Sequence, residues 1–470
     1  MRLTQPGTRA TVLAGLILAA LTQLLIACSA QTPDGGPPPA DDLFGAGINF
    51  GNALEAPEEG WWGLTLQESY VEAIADAGFQ TVRLPVKWSG HASAAAPYTL
   101  DPVFLARVDE VVGWILDHDL NVIIDLHHYD EMSDDPAAHV TRWLGIWRQV
   151  AEHYQDAPDS VSFELMNEPN SALGDDLWNQ MVVQGLAVVR ESNPTRWVVV
   201  GPTGWNAIGA LPGLEWPDDD RLVLTVHYYD PFEFTHQGAE WSESPPPVGR
   251  DWTGSLLTPR AGWADWSWGT QRDYGSALTI TFEGGWTGFY LQASQPVTGY
   301  DTLRLQTSRD MTLLITCKDG DGGTPVQTTG GTTLNLPLAD CGATGDVPRV
   351  IVQNGTGEAQ APFVLQRLEL VGANGTLPLL VSETAAIGAA FDLVRDWAAA
   401  NGNPPVFIGE FGAYQAAEMG ARVRWTRVVR EAAEARGFGW AYWEFGSGFG
   451  AYDPDADAWR PAMLDALLGE

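Results

Sequence analysis

The sequence predicts a (β/α)8 barrel interrupted by an inserted, jelly-roll-like β-sandwich. Three observations predict it. Eight short apolar runs alternate with segments of helical periodicity. The alternation stops at about residues 251–379, where only short β-type runs and Gly-rich turns occur. Two apolar runs far apart in the chain, Phe163-Glu164-Leu165-Met166-Asn167-Glu168-Pro169 and Val406-Phe407-Ile408-Gly409-Glu410-Phe411-Gly412, each deliver a glutamate at the C-terminal end. That is the end at which such barrels keep their chemistry.

The N-terminus comes first. Arg2 and Arg9 precede an apolar run too short to span a membrane, ending in Leu25-Ile26-Ala27-Cys28. This string resembles a bacterial lipobox, in which the cysteine is lipidated. The alternative is an ordinary signal peptide with an incidental cysteine, and either implies export. Residues 1–28 are thus expected to be a signal segment and 29–42, rich in Pro and Gly, a flexible tether. Membrane contact is expected only through a lipid on Cys28, with the protein facing outward from the cell envelope.

The catalytic barrel is expected over 43–250 and 380–470. Strands are expected at 44–50, 80–86, 121–128, 161–168, 197–202, 221–229, 404–412 and 439–446. Helices are expected at 67–78, 102–118, 137–155, 175–191, 385–401 and 416–436. Asp101-Pro102 and Asp135-Pro136 read as helix starts and Gly78 as a helix stop. Near-continuous apolar strands joined by helices indicate a parallel sheet covered on both faces.

The insert shows alternating runs at 277–283, 288–293, 302–308, 311–316, 332–338, 349–354 and 361–371. It lies in the loop after the sixth barrel strand, on the side of the chemistry. Of the 3 cysteines, Cys317 and Cys341 both fall in it, and in an exported chain they are expected to form a disulfide. They offer no zinc spacing. No cofactor is expected; the Asp/Gly turns of the insert are compatible with a structural calcium, but no ligand spacing supports one. The aromatics Trp263, Trp266, Trp268, Trp286, Phe289 and Tyr290 leave two readings open, a carbohydrate-binding module or a lobe that braces the barrel.

Composition limits the partners. A formal charge of −35 repels nucleic acid. A neutral polysaccharide meets no such barrier, and the 21 Trp include candidates for stacking on sugar rings. A monomer is expected.

The strings Gly51-Asn52-Ala53-Leu54-Glu55-Ala56-Pro57, Leu126-His127-His128-Tyr129, Asn167-Glu168-Pro169, His227-Tyr228-Tyr229-Asp230-Pro231, Ile408-Gly409-Glu410-Phe411-Gly412 and Trp440-Ala441-Tyr442-Trp443-Glu444-Phe445 resemble glycoside hydrolase family 5. The match is to bacterial endo-β-1,4-glucanases. It covers about 44–250 and 385–470, and the long insert departs from the compact members.

The resemblance implies a retaining cellulase with Glu168 as acid/base and Glu410 as nucleophile. It implies Arg83 beside the nucleophile, Asn167 on the sugar 2-hydroxyl, His227 near the acid/base and Tyr229 near the nucleophile. His127 and His128 belong to the sugar subsites; as neighbours on a strand they would point to opposite faces. Trp443 would stack beneath the sugar at the cleaved bond. Asn52 and Glu55 would contact more distant glycon units, and His236 and Trp241 the leaving side. The implied substrate is β-1,4-glucan, with β-mannan as the first alternative. A non-catalytic surface glycan-binding protein is the alternative from another class.

Overall fold

The computed structural model describes residues 43–320 and 322–469. The signal segment, Cys28 and the tether lie outside the described residues. Eight parallel strands close into a barrel: β1 (Ala46–Asn49), β2 (Thr81–Val86), β3 (Asn121–Leu126), β4 (Val161–Glu164), β5 (Val198–Val200), β6 (Leu222–Tyr228), β7 (Val406–Phe411) and β8 (Gly439–Tyr442). Ile48 pairs with Val82 on one side and Tyr442 on the other, which closes the ring. All eight expected barrel strands are present.

The surrounding helices are α1 (Glu68–Asp76), α2 (Pro102–Asp117), α3 (Pro136–His153), α4 (Asp175–Ser192), α5 (Glu383–Ala400), α6 (Met419–Glu434) and α7 (Pro461–Leu468). Asp101 accepts from the Val103 amide at 2.8 Å, with Pro102 at the first helical position, so the cap and the proline act together. Gly78 ends the first helical segment at φ +96°, a conformation that costs glycine little. The fifth connection departs from the pattern. It carries only the short helices Thr203–Asn206 and Ile208–Gly213, with Trp205 and Asn206 at positive φ.

The barrel interior changes character along its axis. At the N-terminal end Ile123, Val199, Val223, Phe407 and Ala441 form an apolar plug with Phe44, whose ring meets Phe407 edge-on at 5.2 Å. One pleat further along, the buried positions become Asn49, Arg83, Asp125, Glu164 and Thr225. The period of two along each strand therefore places a polar layer directly above an apolar one.

Between β6 and α5 the chain builds two antiparallel sheets. One contains Thr270–Tyr274, Leu278–Phe282, Thr302–Thr307, Thr333–Pro337 and Phe363–Gly372, with Gly375–Pro378 on the last; the other contains Trp263–Asp265, Gly288–Thr298, Met311–Thr316, Thr324–Thr328 and Asp346–Asn354. Their facing residues, among them Ile280, Phe289, Leu291, Leu305, Leu313 and Val352, make a separate core. Cys317 and Cys341 are bonded within it, with Cα atoms 5.2 Å apart. A two-stranded neck, Leu257–Pro259 against Leu380–Ser382, joins this core to the barrel. The neck extends three residues past the expected boundary at 379, because Leu380–Ser382 pairs with the strand that enters the insert. Trp263 and Phe289 are core residues of the sandwich and present no ring to solvent.

Candidate active site

Arg83 organises the polar layer. It lies inside β2, three residues before the end of that strand, and is fully buried. Its Nε and Nη2 donate to both oxygens of Glu164 at 2.7 and 2.8 Å, and Nη2 also meets Asp125 at 3.0 Å. Nη1 donates to Asn49 at 2.9 Å and to Glu410 Oε1 at 2.8 Å, and Nη2 donates to the Asn167 side-chain oxygen at 2.8 Å. A planar fork with five donors matches this set of acceptors; an ammonium would not.

Glu410 reaches that fork because β7 is irregular. Phe407 points into the apolar plug, so strict alternation would turn Gly409 and Phe411 inward. The register with β6 and β8 instead shifts between Ile408 and Glu410 or Phe411. This bulge turns Glu410 toward the axis and leaves Phe411 packed outward on Trp425 and Trp440. Gly409 makes the bulge possible, since a Cβ there would stand 2.6 Å from Thr225 Oγ1 and 3.1 Å from the His227 ring.

Glu168 follows β4 at φ +47°, in a turn fixed by Pro169 and by the Asn170 side chain, which donates to the Glu168 carbonyl at 2.7 Å. His227 Nδ1 lies 2.8 Å from Glu168 Oε1 and 3.5 Å from Glu410 Oε2. Tyr229 donates its hydroxyl to Glu410 Oε2 at 2.8 Å. One oxygen of Glu168, one ring nitrogen of His227 and one oxygen of Glu410 lie within 4.8 Å of one another.

The two carboxyls have unlike surroundings. Burial raises both to about 7. Glu410 receives direct bonds from a guanidinium and a phenol, whereas Glu168 faces only an imidazole. Burial lowers His227 to about 4, so that imidazole is neutral near pH 7. A proton held by the pair therefore resides on Glu168, and Glu410 is the anion.

The remaining expected residues are distributed around this centre. The His127 ring lies parallel to Trp443 at 5.6 Å, and its Nδ1 bonds Asp125. His128 departs from expectation. The strand ends at Leu126 and His128 takes φ +50°, so the two imidazoles meet at 4.4 Å and are not on opposite faces. Trp62, which sequence reasoning missed, stands edge-on to His128 at 5.6 Å and is exposed.

Glu55 also departs. It has no exposed surface, and its oxygens accept the Asn52 and Ala53 amides. It holds the loop carrying Asn52 and presents nothing to a ligand. Asn52 is half-buried at φ +64°. His236 stacks on Phe232 at 4.2 Å and contacts Tyr229, and Trp241 is exposed beside Tyr414 and Phe449.

Other missed residues support the centre from below. Asp125 and Glu164 are charged residues inside otherwise apolar strands, a signal the sequence did offer. Asn206 contacts His227 Nε2 at 3.3 Å from the irregular fifth connection, where no periodic signal exists. Glu444 accepts the Gly446, Ser447 and Phe449 amides and fixes the turn after Trp443.

These acids affect stability. Burial raises Glu55 to about 8 and Asp125 and Glu444 to about 7, as it does Glu168 and Glu410. Their ordinary values are 4.5 for Glu and 3.8 for Asp, so at these acids the folded chain binds more protons than the unfolded one between those values and about 8. Burial lowers His127, His128, His227 and His236 from 6.5, which opposes the acids below pH 6.5. Above pH 6.5 the acids act alone and stability falls as pH rises, so the melting temperature is expected to be higher at pH 6.5 than at pH 8.5. A rise over that interval in thermal melts would mean the layer is ionised.

A family model described as Cellulase (glycosyl hydrolase family 5) matches residues 43–268. Endoglucanase H of Acetivibrio thermocellus is 36% identical over 256 residues, which are 53% of this chain and 26% of that protein. The chain thus spans about a quarter of that relative's length. A solved endoglucanase is 32% identical, with a TM-score of 0.64 over 92% of this chain and 99% of that one. A hyperthermophilic endo-β-1,4-glucanase solved in complex with substrate is 30% identical, with a TM-score of 0.63 over 92% and 98%.

Proposed function

Because the chain belongs to glycosyl hydrolase family 5, we propose that it is a retaining endo-β-1,4-glucanase. The observation that carries this reading is that one oxygen of Glu168 and one of Glu410 lie within 4.8 Å of each other, with His227 Nδ1 close to both. Retaining glycosidases hold their two carboxyls about 5–5.5 Å apart, whereas inverting ones need about 6.5–9.5 Å to admit a water.

In this reading Glu410 attacks the anomeric carbon, and the C–O bond to the leaving sugar breaks as Glu168 gives its proton to the departing oxygen. A glycosyl-enzyme ester on Glu410 results. The charge on Glu410 is then gone, so Glu168 becomes the base that takes a proton from water, and the water releases the sugar with net retention. Arg83 and Tyr229 keep Glu410 ionised for the attack. Neutral His227 holds the Glu168 carboxyl in place. Asn167, fixed by Arg83, presents its amide to the sugar 2-hydroxyl. The Trp443 ring, backed by His127, forms the floor on which a pyranose stacks.

Export, with a lipid on Cys28, completes the proposal, and the buried Cys317–Cys341 disulfide suits an oxidising compartment. The test is reducing-end release from carboxymethyl-cellulose, mixed-linkage glucan, glucomannan and mannan, with NMR of the first-formed anomer. A β-anomer from the glucans supports the reading. An α-anomer, or activity on mannan alone, overturns it.

Glu168 supplies a second prediction. Glycosylation needs it protonated, so kcat/KM on an unactivated cello-oligosaccharide falls above about pH 7. In Glu168→Gln, a dinitrophenyl cellobioside needs no proton and is still glycosylated, with the alkaline limb absent. Persistence of that limb in the variant would assign it to another group.

A further inference from the structure

The insert has an aromatic surface that the barrel chemistry does not use. Trp263–Asp265 runs antiparallel to Gly288–Thr298, and the pairing continues beyond it. The Trp266 amide donates to the Tyr290 carbonyl at 2.8 Å, and Trp268 and Gly288 exchange amide bonds at 3.0 and 3.1 Å. Two residues apart on a paired segment, Trp266 and Trp268 share one face. The Tyr290 ring stands edge-on to both, at 5.7 and 6.3 Å. Gly288 lets the second indole lie close to the sheet, since a Cβ there would meet the Trp268 ring at 2.6 Å.

These rings are not core. Trp266 is 60% exposed, Trp268 39%, and Trp286, in the adjoining turn, 53%. The alternate residues Phe289 and Leu291 fill the sandwich core behind them. The patch is braced as well as exposed: the Trp286 carbonyl accepts from Trp268 Nε1 at 3.1 Å and from Gln353 Nε2 at 2.6 Å. Gln292 and Arg349 pair across the same face, and the Arg349 guanidinium lies 5.7 Å from the Tyr290 ring.

Holding several indoles in water is costly unless something covers them. Flat rings beside amide and guanidinium groups suit a ligand with apolar C–H faces and a rim of hydroxyls. A chain of net charge −35 repels anionic polymers and leaves neutral ones.

We propose that this sheet face binds a neutral β-glucan chain, at a site separate from the cleft. The choice of glucan rests on the reading of the barrel as a glucanase. The neck places the module on the βα-loop end of the barrel, so polymer held here raises the substrate concentration at the cleft without a new catalytic contact.

The test uses the full chain in native gels containing mixed-linkage glucan, hydroxyethyl cellulose, galactomannan or dextran. The parent is expected to be retarded by the two glucans. Trp266→Ala/Trp268→Ala is expected to weaken that retardation about tenfold or more. Its kcat/KM on an aryl cellobioside is expected to stay unchanged, while its rate on insoluble cellulose falls. The single Trp266→Ala, at an exposed ring, carries the test if the double variant misfolds by near-UV circular dichroism. Unchanged retardation in a folded variant overturns the proposal, as does retardation by galactomannan or dextran alone. Absence of aryl-cellobioside hydrolysis would count against the barrel reading instead, since gel retardation is read without turnover.

Discussion

Replacing Glu410 with Gln is expected to lower kcat/KM on soluble β-glucan on the order of 10^4-fold or more, with little change in melting temperature. The loss is large because a neutral amide cannot form the ester. The fold survives because the Arg83 fork still has Glu164 and Asp125 as anionic partners. Azide distinguishes the two roles. In Glu410→Ala the anion occupies the vacated space and attacks in place of the carboxylate, giving an α-glycosyl azide. In Glu168→Ala the ester still forms from an activated substrate, and azide then opens it from the other face, giving the β product. A β-azide from Glu410→Ala would exchange the two assignments.

Arg83→Met is expected to cost about 3–5 kcal/mol of stability and to abolish turnover. This one side chain supplies the positive charge for Asp125, Glu164 and Glu410 and also orients Asn49 and Asn167. Without it the folded protein can bury those acids only by protonating them. The destabilisation is therefore greater at pH 8 than at pH 5, and Glu410 is no longer an anion at neutral pH. Arg83→Lys keeps the charge but cannot reach both oxygens of Glu164 and the other acceptors together, so an intermediate loss is expected. Urea titrations at the two pH values measure both effects. A wild-type midpoint in Arg83→Met would show that the network contributes nothing to folding.

The strand-end glutamates were legible because burial forces strands to be apolar, and a carboxylate at the end of such a run needs a reason. Arg83, a charge inside an apolar run, was legible for the same cause; it sits within β2. The roles expected for Glu55 and for the faces of His127 and His128 failed on backbone conformation. Both depend on where a strand stops and which residue adopts positive φ. Neither leaves a period in the sequence. The short sandwich strands Thr270–Tyr274 and Thr324–Thr328 were missed because their few apolar positions are spread among threonine, glutamine and arginine.

The sequence by itself determined the barrel, the interruption after the sixth strand and the pair of acids, since hydrophobic period and strand-end chemistry are local properties. Tertiary structure decided the rest. The bulge at Gly409, the single guanidinium shared by three acids and the exposure of Trp266 and Trp268 arise where distant segments meet, and only packing in three dimensions sets which atoms share that space.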